Sequence, residues 1–98
     1  MKWLTLEGIK AQCRIEQDFH EEDDLLVENG EGAEEAILNV CNRTYEELIE
    51  TYGKVPVSLV HASKMLVDSL YKDREKDLVH EVHSNPSFDI LVKPYMKL

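Results

Sequence analysis

The residues with the clearest capacity for chemistry stand in two groups. His20-Glu21-Glu22-Asp23-Asp24-Leu25-Leu26 sets four carboxylates behind a histidine and then turns apolar, and His80-Glu81-Val82-His83 places two histidines around a glutamate. A calcium loop needs oxygen ligands at alternate positions, a glycine between them and a closing glutamate, and the first group lacks that spacing. The second is one residue short of the H-E-x-x-H zinc-protease signature, in which both histidines share a helix face. Leu78 to His83 is β-branched enough to read as a short extended piece, where the two histidines would point to opposite faces. Neither group predicts a metal or cofactor site, and His20 and His61 read as isolated surface or interface side chains.

Nucleophilic chemistry finds no better support. Ser58, Ser63 and Ser69 fall on a helical pattern with no glycine elbow and no strand leading to them, so they read as small residues that let helices pack closely. No glycine-rich phosphate loop or dinucleotide fingerprint is present. The opening "LTLEGIK" could begin a helix-turn-helix, but no basic second helix follows and the sequence pI is near 4.8. With 11 basic and 20 acidic side chains in 98 residues, the net charge of −9 repels a phosphate backbone or an anionic lipid surface. The first ten residues, "MKWLTLEGIK", hold no long apolar run, so neither a signal peptide nor a membrane anchor is expected. Cys13 and Cys41 are too few for a disulfide framework and are expected reduced, with Cys41 in the core.

The elements that would carry these residues read as helices. A chain of this length and 43% hydrophobic content fits one domain over residues 1–98 with a single core. Thr5 can cap a first helix with Leu6, Ile9 and Cys13 on one side, ending near Arg14. Asp23 to Asn42 reads as one amphipathic helix through Leu26, Ala33, Ile37, Val40 and Cys41, with the acids of the opening group in its first turn, where free N–H groups and the dipole favour carboxylates. Gly30 and Gly32 are its weak point, since each costs about 1 kcal/mol relative to alanine inside a helix. Thr44 and Glu47 form a capping box for a two-turn helix with Leu48, Ile49 and Tyr52 as its apolar side and Gly53 as its end. Pro56 opens a central helix to Lys72 whose apolar arc covers about two thirds of its circumference, so it must be covered from more than one side. Asn85-Pro86 starts a last short helix marked by Phe88, Leu91 and Tyr95 and cut off by Pro94. The expected fold is all-α, a bundle of four to five helices with Leu26, Ile37, Val40, Leu59, Leu66 and Leu70 largely buried.

The order of these pieces carries a resemblance. A leading L-T-L-x-x-x-K before the acidic D-D-L-L helix start, Tyr71-x-x-Arg74-Glu75 at the end of the proline-opened helix, and a closing D-I-L-V-K-P-Y resemble, over almost the whole chain, the small head-tail connector proteins of tailed phages and prophages, also called neck adaptor or head-completion proteins and sometimes described as DNA-packaging proteins. The resemblance implies a virion structural part without catalysis or cofactor. It implies a ring of copies beneath the portal protein, made and assembled in the cytoplasm of the bacterial host, which extends the DNA channel and meets the next neck or tail-completion protein. DNA would pass without specific binding, and no membrane is involved. A ring needs contacts between two different patches, and the helix end and linker from Tyr71 to Val82 is the expected source of one of them: Tyr71, Arg74, Glu75, Leu78, His80 and Val82. The competing readings are a small acidic helical regulatory or adaptor protein that binds a basic partner, and a metal-dependent enzyme using the acidic run or H-E-x-H.

Overall fold

In the computed structural model, which describes residues 1–72 and 85–97, most of the described residues are helical. Five helices follow in order among the described residues: α1 (Leu6–Cys13), α2 (Asp23–Cys41), α3 (Tyr45–Tyr52), α4 (Val57–Lys72) and α5 (Pro86–Val92), the last running into a 3₁₀ turn, Lys93–Tyr95. No strand occurs among them. The expected extended piece at Leu78 to His83 lies outside the described residues.

The boundaries follow from local hydrogen bonding. Thr5 Oγ1 accepts from the Gly8 N–H at 3.0 Å and starts α1. Arg14 and Asn42 end α1 and α2 in the left-handed conformation, φ 60° and 55°, a position asparagine tolerates better than arginine. Thr44 and Glu47 form the reciprocal capping box of α3, Gly53 closes it at φ 76°, and Asn85 caps α5 ahead of Pro86.

Helix α4 is the axis of the bundle and is covered by α1, α2 and α5, which its wide apolar arc required. Leu26, Ile37, Leu59 and Leu66 are fully buried, together with Ile9, Cys41, Leu48 and Val67. Val40 and Leu70, expected in the core, are only half-buried. Val40 precedes Cys41, which takes the inward position at the end of α2, and Leu70 lies past the stretch of α4 where Leu66 and Val67 fill the centre. In α5 the inward residues are Phe88 and Val92, with Leu91 and Tyr95 at the margin.

Helix α2 is unbroken through Gly30 and Gly32. Gly30 is buried where the N-terminal segment and α1 cross it: a Cβ there would run into Met1 Sδ and come within 2.8 Å of Ile9 Cδ1. Glycine at this point trades helix propensity for close approach of the two segments.

Candidate functional site

The acidic group His20 to Asp24 is tied to a lysine one helix away. Lys10, on the apolar stripe of α1 between Leu6 and Cys13, is 1% exposed. Its Nζ stands 2.9 Å from Asp23 Oδ1 and donates to the carbonyls of Gln17 at 3.1 Å and Phe19 at 2.7 Å. His20 Nδ1 lies 2.9 Å from the other Asp23 oxygen, so His20 is not isolated. These two neighbours, Lys10 first, hold the Asp23 carboxyl below its ordinary value of 3.8. The N-cap residue of α2 is Glu22, and its side chain makes no capping hydrogen bond. Asp23 and Asp24 do occupy the first turn, but Asp23 is committed to a buried cation as well as to the helix dipole.

A second buried charge organises the other side of α2. Glu34 is 3% exposed, and its carboxylate accepts from three successive backbone N–H groups, Lys2 at 2.8 and 3.0 Å, Trp3 at 2.8 Å and Leu4 at 2.8 Å. The extended N-terminal segment is thereby laid across the bundle. Trp3 Nε1 then donates to Ser63 Oγ at 3.1 Å while Ser63 donates to the Leu59 carbonyl at 2.7 Å. Ser63 thus permits close packing and also satisfies a buried indole N–H.

At the far end of α2 the C-terminal segment folds back. The Lys97 N–H donates to the Cys41 carbonyl at 2.8 Å, Arg43 Nε to the Tyr95 carbonyl at 2.8 Å, and Lys97 Nζ to Glu47 at 3.2 Å. That lysine, with the Thr44 cap, holds the Glu47 carboxyl below its ordinary range. Tyr52 and Tyr95 meet edge to face at 5.4 Å. The face of α3 expected inward is divided: Leu48 is buried, whereas Ile49 and Tyr52 point outward, 36% and 38% exposed.

Among the described residues, no group of three or more His, Cys, Asp or Glu side chains stands close enough to share a metal ion. Burial pushes the thiols of Cys13 and Cys41 up to about 11, helped at Cys13 by the neighbouring Asp68 carboxylate, so neither is a thiolate at neutral pH. Cys13 lines a cleft of about 410 Å³ with Gln12, Arg14, Asp68 and Lys72. Among those residues Asp68 already pairs with Lys72 at 3.0 Å. His61 is exposed.

Of the residues expected at a subunit contact, Tyr71 is half-buried at the end of α4, packed against the core. Arg74, Glu75, Leu78, His80 and Val82, and with them Glu81 and His83 of the second histidine group, lie outside the described residues.

A family profile described as phage gp6-like head-tail connector protein matches residues 4–93. The chain belongs to that family. The match runs from the first buried leucine of the N-terminal segment to the start of the closing 3₁₀ turn, and so takes in all five of the described helices. The family is structural, and its role is that of a connector in the neck of the virion. No curated protein and no solved structure matches the chain. Among the described residues no helix is long and apolar enough to cross a membrane.

Proposed function

We propose that copies of this connector assemble into a ring beneath the portal protein, extend the DNA channel and present a surface to the next neck or tail-completion protein. The observation that carries the reading is the family match over residues 4–93. The surface is in keeping with it: Val57 and Ile90, 71% and 77% exposed, are apolar positions of the kind that become covered in an assembly. A net charge of −9 also suits a passage through which DNA slides without sticking, because basic walls would bind each phosphate. One contact between neighbouring copies is assigned to the helix end and linker from Tyr71 to Val82, through Tyr71, Arg74, Glu75, Leu78, His80 and Val82. No catalytic step and no cofactor enters this role.

The test is removal of the coding segment from an inducible phage genome. Filled heads that carry portal but fail to retain DNA or to accept tails are expected, with rescue by the chain supplied in trans. Normal yields of tailed, infectious particles without it would refute the reading.

A further inference from the structure

The start of α2 and the loop before it are strongly acidic. Residues 16–35 hold ten carboxylates and no lysine or arginine. Within them the buried Lys10 draws the Phe19 carbonyl inward and leaves the Phe19 ring 38% exposed, flanked by the exposed Asp18 and Glu21. At the opposite end, Tyr45, Ile49 and Tyr52 recur at helical spacing along one face of α3. Cations border that strip: Lys2 Nζ lies 5.3 Å above the Tyr45 ring and the Arg43 guanidinium 5.7 Å from that of Tyr52, and Lys54 follows two residues later, exposed. Glu46 and Glu50 project from other faces of α3. The 19 residues of α2 separate the two ends by about 27 Å at 1.5 Å per residue, so they cannot reach one another within one copy.

Resting on the ring reading above, we propose that these two ends bind each other between neighbouring copies: the Phe19 loop of one copy docks on the Tyr45, Ile49 and Tyr52 strip of the next. A ring is built from such head-to-tail contacts between different patches. Here each patch supplies what the other lacks. The Phe19 ring enters an aromatic and aliphatic strip, while Asp18 and Glu21 meet Lys2, Arg43 and Lys54. This contact is additional to the one assigned to the segment from Tyr71 to Val82. It also gives Lys10 a purpose beyond packing, since it holds the loop in the shape that presents the Phe19 ring.

The test is disulfide capture with two chains, F19C and I49C, each also carrying C13S so that the fully buried Cys41 is the one other thiol, concentrated until wild-type chain self-associates in sedimentation velocity. Mixed and mildly oxidised, they are expected to give a covalent dimer that neither gives alone. Lys54→Glu is expected to weaken self-association about tenfold, with loss of the wild-type advantage at high salt. If oligomers form but the mixture yields no more dimer than the separate chains, this contact is wrong and the ring reading stands. If the same mixture, oxidised on portal-bearing heads, links F19C to portal protein instead of I49C, the strip is not its partner and the inference fails. If the chain associates neither at high concentration nor on portal-bearing heads, the ring reading falls and takes this contact with it.

Discussion

Lys10 and Asp23 pair at 2.9 Å between the last turn of α1 and the first residue of α2, so the loop between these helices closes on a buried cation. Lys10→Met keeps the apolar stem and removes the charge. The carbonyls of Gln17 and Phe19 would lose a common donor, at a cost of about 1 to 3 kcal/mol. Chemical denaturation of the variant is expected to show that loss with an unchanged helical spectrum.

The same pair sets a pH dependence. The folded-state value of Asp23 is depressed, as is that of Glu47 beside Lys97. For a depressed carboxyl the stabilising contribution is complete above the unfolded value, 3.8 for Asp23, and is lost as pH falls through the lower folded value. Thermal melts between neutral pH and strongly acid solution are expected to show wild type losing more stability below that value than Asp23→Asn, which starts lower and changes less.

Lys10 and Glu34 also show how much of the fold was legible in the sequence. Helix type, order and ends could be read because Thr5, the Thr44/Glu47 box, Gly53 and Asn85-Pro86 act through local hydrogen bonds that sequence spacing specifies. The two buried charges were missed although a signal existed. Lys10 is four residues after Leu6, and Glu34 three before Ile37, so each sits on an apolar stripe where a charge demands partners. Those partners, the Phe19 carbonyl and the N–H groups of Lys2 to Leu4, are brought together only by tertiary folding. Helix α2 was read as one helix, but the reason for glycine at position 30 was not legible, since it is needed for a crossing segment that helical periodicity does not contain. The outward turn of Ile49 and Tyr52 was hidden because helical spacing places Tyr45, Ile49 and Tyr52 together without saying whether their face is covered.

Glu34→Ala is expected to release the N-terminal segment, because three backbone donors lose a charged acceptor at once. The cost is about 2 to 5 kcal/mol, from several hydrogen bonds to an ionised group. The chain's single tryptophan reports it directly: emission from Trp3 should shift to longer wavelength in the variant under native conditions.

Leu66→Ala empties a fully buried site on α4 and is expected to destabilise by about 2 to 5 kcal/mol. Gly30→Ala should also destabilise. The gain of about 1 kcal/mol in helix propensity is opposed by the clash with Met1 and with Ile9, which is fully buried in the core. Urea unfolding midpoints of both variants decide the sign.

The most direct test of the connector role is electron microscopy of DNA-filled heads that lack this chain, before and after addition of the purified protein. A single collar of added density at the portal vertex, with tails then joining and infectivity restored, is the expected result. Heads left unchanged while the protein stays in solution, or tails that join equally well without it, would contradict the assignment.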